Sequence, residues 1–127
     1  MRAAAVLVLT MLASCSASTP VEIMGDRSRA DLVQELVTAA ESGDGPTFTR
    51  LTGRSTTMSG WLPPTMDQVD RRDEGCSLTR ISANLPKLAE AFWDCPKKNY
   101  KHEVERMFLI EHGRVTHMWN DGRAGIF

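Results

Sequence analysis

The stretch VERMFLIEHGRVTHMWN, residues 104–120, determines the fold more fully than any other part of this chain. Apolar residues run through both halves, and Gly113-Arg114 lies between them; glycine at the first turn position is typical of a type II′ hairpin. We therefore predict one strand over 104–111 and a second over 115–120. In this register the cross-strand pairs are Phe108 with Trp119, Ile110 with His117, and Arg106 with Asp121.

The first of these strands is apolar on both faces, which predicts a central position in a sheet. Met107 and Leu109 form one face. The other face combines large apolar side chains with an imidazole. Its residues are Phe108, Ile110, His117 and Trp119.

Two further strands are predicted before the hairpin. Apolar and polar residues alternate over 79–85, as in a strand with one buried face. Residues 88–95 fit either a strand or a helix, and we favour a strand because Pro86-Lys87 makes a tight turn between two apolar runs. As a strand, this segment has Glu90, Phe92 and Asp94 on one face.

A long helix is predicted on the N-terminal side of these strands. Ser28 with Asp31 three residues later is typical of a helix start, and Gly43 is typical of a helix end. Apolar residues between them recur at helical spacing and form one face. The residues of this face are Leu32, Val33, Leu36, Val37 and Ala40.

A second, shorter helix is predicted to begin at Asp44-Gly45-Pro46, with Phe48 and Leu51 as its buried side chains. Residues 52–64 are rich in Gly, Ser, Thr and Pro and therefore form a loop. Within that loop we expect Trp61 and Leu62 to contact apolar groups. One or two helical turns follow over 66–72.

The N-terminus has the layout of an export signal. Arg2 precedes an apolar run over 3–12, and small residues lie just before Cys15. This run is shorter than the about 20 residues that a membrane-spanning helix needs. Leu12-Ala13-Ser14-Cys15 resembles the lipobox of bacterial lipoproteins. The alternative is an ordinary secretory signal that is cut after small residues.

The lipobox resemblance implies a lipid anchor in the cell envelope. In that family the signal peptide, here residues 1–14, is removed, and the cysteine, here Cys15, receives a diacylglyceryl group and an acyl chain such as palmitate. Several acyl chains hold a protein on a membrane stably where one chain does not. Ser16, in place of an aspartate, implies the outer membrane facing the periplasm if the host is Gram-negative.

The remaining chain divides into two parts. Residues 15–27 have few large apolar groups and are interpreted as a flexible tether, whereas residues 28–127 are enough for a single domain with one core. The loss of Arg2 leaves 14 of the 15 basic side chains beside 16 acidic ones. Because both signs are spread along the chain, we predict no nucleic-acid-binding surface.

Cys76 and Cys95 remain once Cys15 is assigned to lipid. In an oxidising compartment two remaining cysteines form a disulfide; the alternative is two buried thiols in a cytosolic protein. In a hairpin with a two-residue loop at 86–87 the two cysteines lie diagonally on one face, so a bulge or a register change is needed to bridge them. We expect no metal site because no histidine pair accompanies them.

Residues 32–44 and 108–115 together resemble the nuclear-transport-factor-2-like superfamily, which includes ketosteroid-isomerase-like proteins. The first stretch has a Gly43-Asp44 step between two helices, and the second has the Gly113-Arg114 turn between two apolar strands. The resemblance implies an α+β fold with N-terminal helices packed on a curved antiparallel sheet, in the shape of a cone. The chain has four clear strands, where such sheets often have more.

The superfamily resemblance implies a cone whose mouth binds a small apolar molecule, with Phe108, Ile110, His117 and Trp119 as its candidate lining. In a minority of members an acid or histidine inside the cone is catalytic. His117 is then the one weak catalytic candidate, with Glu90 or Asp94 as its carboxylate partner. The chain has none of the sequence motifs of nucleophile elbows, phosphate-binding loops or zinc proteases.

We therefore expect a non-catalytic envelope lipoprotein, without a cofactor, that binds an envelope protein or a small apolar ligand. One alternative is a small lyase, isomerase or hydrolase that uses His117 and a carboxylate. A second alternative is a structural or assembly lipoprotein of an envelope complex. An enzyme should bury His117 with an acid in a pocket, whereas an assembly protein should have a filled cone and an exposed apolar patch.

Overall fold

The computed structural model describes residues 20–97 and 102–119 as an α+β domain. In this part of the chain a five-stranded sheet is accompanied by three α-helices and one 3₁₀ turn. In chain order the elements are β1 Glu22–Gly25, α1 Arg27–Ser42, α2 Gly45–Leu51, α3 Met66–Val69, a 3₁₀ turn Arg72–Glu74, β2 Ser77–Ala83, β3 Leu88–Asp94, β4 Glu103–Glu111 and β5 Arg114–Trp119.

The strands follow one another across the sheet in chain order, and β1 is parallel to β2 while the other neighbours are antiparallel. The sheet is therefore mixed, and the prediction of an antiparallel sheet is wrong at this edge. The physical reason is the connection: α1, α2 and α3 lie between β1 and β2, and such a crossover returns the chain in the same direction. β1 also lies within residues 15–27, so this interval is not a tether throughout.

The ends of α1 are set by capping groups. The Asp26 carboxylate accepts a hydrogen bond from the backbone N–H of Arg29 at 2.9 Å, and the Ser28 hydroxyl donates to the same carboxylate at 2.8 Å. Asp26 is thus the N-cap, two residues before the predicted one. Gly43 ends the helix with φ 73° and donates to the carbonyls of Ala39 and Ala40, as predicted.

One face of the sheet, here called the helix face, packs against the helices and forms the core. Trp93 and Phe108 lie at its centre and are fully buried. The predicted apolar face of α1 is confirmed, with Leu32 only partly buried. The buried helix side chains are Ala30, Val33, Leu36, Val37, Ala39, Ala40, Phe48, Leu51 and Val69.

The segment that fitted either a strand or a helix is strand β3, as preferred. β2 pairs with β3 through a bulge between Leu78 and Arg80. The bulge places Ser77 opposite Asp94, so the adjacent Cys76 and Cys95 face each other and form a disulfide with Cα atoms 4.2 Å apart. The predicted disulfide is therefore confirmed, together with the irregularity that it requires.

The predicted register of the C-terminal hairpin is wrong. Glu111 pairs with Arg114, and His112 and Gly113 form the turn with φ values of 52° and 74°. Two consecutive left-handed residues are typical of a type I′ turn rather than type II′, and histidine tolerates this conformation. A bulge then leaves Thr116 without a direct partner between two pairs, Ile110 with Val115 and Leu109 with His117.

Candidate functional site

An aromatic cluster formed by Trp61, His117 and Trp119 lies on the outer face of the sheet, opposite the helix face. The ring centroids of Trp61 and His117 are 4.4 Å apart, with 33° between the ring planes. Trp119 is nearly perpendicular to both rings, 5.4 Å from Trp61 and 5.0 Å from His117. Edge-to-face aromatic pairs each stabilise by about 0.5–1.5 kcal/mol beyond the area they bury. The cluster is therefore held in one arrangement.

Two elements bring the cluster together. On β5, His117 and Trp119 alternate with the buried Met118, so both side chains point away from the core. Trp61 comes from the loop over residues 52–65, whose start is fixed to β5 by the Gly53 N–H donating to the Val115 carbonyl at 3.1 Å. The loop residue and the strand residues are thus far apart in sequence and adjacent in space.

A hydrogen bond joins the loop to the imidazole. Nδ1 of His117 lies 3.1 Å from the carbonyl oxygen of Leu62. Because a carbonyl oxygen only accepts, this contact requires the proton on Nδ1. The Leu62 side chain itself is 57% exposed, beside the aromatic cluster. The Leu62 side chain, expected against apolar groups, is thus mostly exposed, whereas Trp61 packs against His117 and Trp119.

The same loop is anchored a second time at the buried carboxylate of Glu111. Thr57 donates its hydroxyl to Oε2 at 2.6 Å, and Thr116, the bulged residue of β5, donates to Oε1 at 3.0 Å. Together with the Ser55 hydroxyl, these donors lower the pKa of Glu111 to about 2, because each favours the charged form. Glu111 is therefore a structural anion that holds the loop under the cluster.

The four predicted lining residues do not share one face. Phe108 and Ile110 are buried in the core on the helix face, whereas His117 and Trp119 lie on the outer face. The cause is the bulge at Thr116, because a shift of one residue moves every following side chain to the other face. Phe108 thus pairs with Met118 instead of Trp119.

The acids that were candidate partners of His117 lie elsewhere on the sheet. Glu90 and Asp94 belong to β3, which is separated from β5 by β4, so two strand spacings of about 5 Å each lie between them. Burial raises the pKa of Glu90, and the neighbouring Glu105 carboxylate raises it further. Within the described residues, the polar contact of the His117 ring is the Leu62 carbonyl, and no carboxylate binds it.

A cationic side chain covers the next part of the outer face. The guanidinium carbon of Arg80 lies 4.0 Å from the ring centroid of Phe92, a cation–π distance. Arg80 also lies 3.9 Å from a carboxylate oxygen of Glu103. This part of the sheet is therefore already occupied by intramolecular contacts.

The predictions about the lipid anchor, a metal site and a membrane-spanning helix concern other parts of the chain. Cys15, Asp121 and the signal peptide lie outside the described residues. Among residues 20–97 and 102–119, no group of three or more His, Cys, Asp or Glu side chains is placed to hold a metal ion. No helix in the same ranges is long and apolar enough to span a membrane.

The sequence interpretation missed two parts of this site. Trp61 was expected against apolar groups, but its stacking on His117 depends on the loop returning to β5, for which a loop rich in Gly, Ser, Thr and Pro has no periodic signal. The Glu111 anchor was missed as well, although an acidic residue inside an apolar strand is a usable signal, since a buried charge needs donors.

The chain matches no protein-family model, no curated protein and no solved structure.

Proposed function

We propose that this protein is a lipid-anchored lipoprotein of the bacterial cell envelope whose domain binds a partner protein and is not catalytic. Two observations support export. Residues 12–15 resemble a lipobox, and Cys76 is joined to Cys95 in a disulfide, a bond that persists in oxidising compartments. The anchor is Cys15, and Ser16 favours the outer membrane, facing the periplasm, in a Gram-negative host.

The aromatic cluster with Leu62 is the observation that carries the binding role. Tryptophan is enriched at the centres of protein interfaces, where rigid aromatic side chains bind with little loss of conformational entropy. Trp61 and Trp119 are each half-buried, and Leu62 is exposed beside them. The loop that presents them is fixed at Glu111 and at His117, so the surface is preformed.

The filled interior favours a protein over an internal small ligand. A cone that holds a ligand needs space between the helices and the sheet, but Trp93 and Phe108 occupy that centre and are fully buried. The centre of the cone is therefore closed to a ligand, and we place the partner protein on the outer face. The aromatic cluster is a part of the outer face where two indole rings lie next to an exposed leucine, Leu62.

The enzyme alternative has weaker support. The Nδ1 atom of His117 is hydrogen-bonded to the Leu62 carbonyl and its ring packs against two indoles, and within the described residues no carboxylate contacts the ring to support general acid–base catalysis. The carboxylate of Glu111 is likewise occupied by hydroxyl donors. We therefore assign His117 a positioning role, in which it holds the loop that carries Trp61 and Leu62.

Membership of the nuclear-transport-factor-2-like superfamily remains part of this proposal. Helices that precede an antiparallel run of strands, here β2 to β5, support it. The parallel edge strand β1 and the filled interior depart from the cone that the resemblance implies. The binding role proposed here depends on the aromatic cluster and not on that membership.

Site-specific photocrosslinking in the native cell tests the binding role. A photoreactive amino acid at position 62 should give a discrete crosslink to one envelope protein, because this side chain is exposed and directly follows Trp61 of the cluster. The matched control is position 49, an exposed threonine of α2 away from the cluster. Equal crosslinking at both positions, or none at position 62, would overturn the proposal.

A further inference from the structure

A groove of about 640 Å³ lies at the end of the sheet where the chain enters β1. It is bounded by the C-terminal half of α1, by Val21 before β1, and by the first residues of β2. None of its lining residues belongs to the aromatic cluster, so the groove is independent of the proposed protein-binding surface. A volume of several hundred Å³ suits a small organic molecule.

The floor of the groove is apolar. Val37 is buried in the core, and Val21 and Leu78 are partly buried against it. These three side chains also line the groove, so an apolar group of a ligand would bury surface against them. The disulfide at Cys76 fixes the adjacent end of β2, which makes the floor rigid.

The walls of the groove carry polar groups that are not engaged by the protein. Within the described residues, the side chains of Gln34, Thr38 and Ser77 form no hydrogen bond to another protein group, although all three line the groove. Thr79, in contrast, donates its hydroxyl to the Phe92 carbonyl at 3.1 Å. The first three side chains therefore remain available to a bound molecule.

Among the described residues that line the groove, acidic side chains outnumber basic ones. Arg72 is the cation among them, and its guanidinium is held by the Asp70 carboxylate through two contacts of 2.9 Å. Glu41 and Asp94 line the groove as well, and neither forms an ion pair within the described part of the chain. Burial raises the pKa of Glu41, the nearby Asp70 carboxylate raises it further, and the Arg72 guanidinium lowers it in part. A cation in the groove would favour the charged carboxylate of Glu41 and so act against this rise in pKa.

We propose that this groove binds a small organic cation. Its ammonium or guanidinium group would pair with the carboxylates of Glu41 and Asp94, and its apolar part would pack on Val21 and Leu78. Gln34 would supply a further hydrogen bond. An anion is disfavoured, because among the described residues it would face two carboxylates, while the Arg72 guanidinium is already paired with Asp70.

The test uses a matched pair of small probes with the full chain in a non-ionic detergent. Phenethylamine is a protonated amine with an apolar ring, and phenethyl alcohol has the same ring with a neutral hydroxyl. Backbone amide shifts are followed by two-dimensional NMR. We expect phenethylamine to shift the amides of Gln34, Thr38 and Ser77 with a Kd of about 1 mM or tighter, as is typical of a ligand of this size. The alcohol should bind at least about fivefold more weakly.

Charge-neutral variants identify the groups that hold the cation. Glu41→Gln and Asp94→Asn should each weaken phenethylamine binding by roughly fivefold, as expected for the loss of one ion pair. Glu35→Gln is the control, since Glu35 is an exposed glutamate of the same helix that pairs with Arg50 outside the groove. This variant should bind the amine as the wild type does.

Two results would overturn the proposal. One is equal binding of the amine and the alcohol, which would leave an apolar groove without charge selectivity. The other is that phenethylamine leaves the chemical shifts of the groove amides unchanged, although the spectrum recorded without ligand shows that the protein is folded. If Glu41→Gln and Asp94→Asn bind the amine as tightly as Glu35→Gln does, the assigned carboxylates are wrong.

Discussion

Nδ1 of His117 lies 3.1 Å from the carbonyl oxygen of Leu62, so one side chain of β5 holds a loop residue that is 55 positions away in the sequence. The same histidine stacks against Trp61, the neighbour of Leu62. A single imidazole thus fixes both the backbone and the aromatic ring of the loop. The first prediction follows from this pair of contacts.

His117→Phe keeps an aromatic ring at the site but removes the donor to Leu62. We expect a loss of about 1 kcal/mol in the free energy of unfolding, the usual net value of one hydrogen bond. Hydrogen exchange should also accelerate at the backbone amides of residues 54–61. His102→Phe is the control because His102 is exposed. Unchanged exchange in the loop of the His117 variant would contradict the positioning role.

Glu111 gives a prediction about acid stability. Its pKa in the folded protein is about 2, below the ordinary value of 4.5, so its contribution to stability is complete above about pH 4.5 and is lost as the pH falls toward 2. Thr57→Val removes one donor and should raise this pKa, which flattens the acid limb of the stability curve. The measurements are carboxyl NMR titration and urea unfolding across this pH range.

The matched control for that experiment is Thr49→Val, an exposed threonine on α2 without a contact to Glu111. It should leave both the pKa and the acid limb unchanged. If Thr57→Val also leaves the pKa of Glu111 near 2, the hydroxyl donors are not the cause of the low value.

Gly25 tests the position of β1 in the sheet. Its φ is 85°, and a Cβ atom there would overlap the carbonyl oxygen of Ala83 on the neighbouring strand β2. Gly25→Ala therefore combines backbone strain with a steric overlap. Gly60→Ala shares the φ of 85° but would meet open space.

We expect Gly60→Ala to cost roughly 1 kcal/mol in stability and Gly25→Ala clearly more, because only the latter moves β1 away from β2. Thermal and urea unfolding of the two variants make the comparison. Equal destabilisation would mean that β1 does not pack against β2 as described here.

A comparison of alanine variants at Leu62 and Leu51 distinguishes an effect on partner binding from an effect on stability. Leu51 is buried in the core, and Leu51→Ala should cost about 2–5 kcal/mol in the free energy of unfolding. Leu62 is exposed, so Leu62→Ala should change stability by less than about 0.5 kcal/mol. Loss of partner binding without loss of stability in Leu62→Ala would be the signature of an interface residue. Large destabilisation by Leu62→Ala would show instead that its side chain is part of the core.

Local capping signals predicted the helical part of the fold well. Asp44 caps α2, and Gly43 ends α1 at the expected residue, because both effects depend on groups within a few positions of each other. The sheet was less predictable. Strand β1 has only four residues and pairs in parallel with β2, and so short an edge strand has no alternating pattern of its own.

The sequence prediction that four residues line one face is wrong for one physical reason. A single bulge at Thr116 separates His117 and Trp119 from Phe108 and Ile110, and alternation alone does not contain that information. The disulfide was predictable because it follows from cysteine number and compartment. The bulge at Leu78 and Arg80 that brings Cys76 opposite Cys95 could be inferred only as a requirement of that bond.

The proposed lipoprotein anchor is tested most directly by the intact mass of the protein purified from its native membrane, with and without reductant and alkylation. We predict a chain of residues 15–127 with an acylated glyceryl group, in which Cys76 and Cys95 react with the alkylating agent only after reduction. A chain that keeps residues 1–14 without lipid, or two cysteines that are alkylated without reductant, would contradict the account.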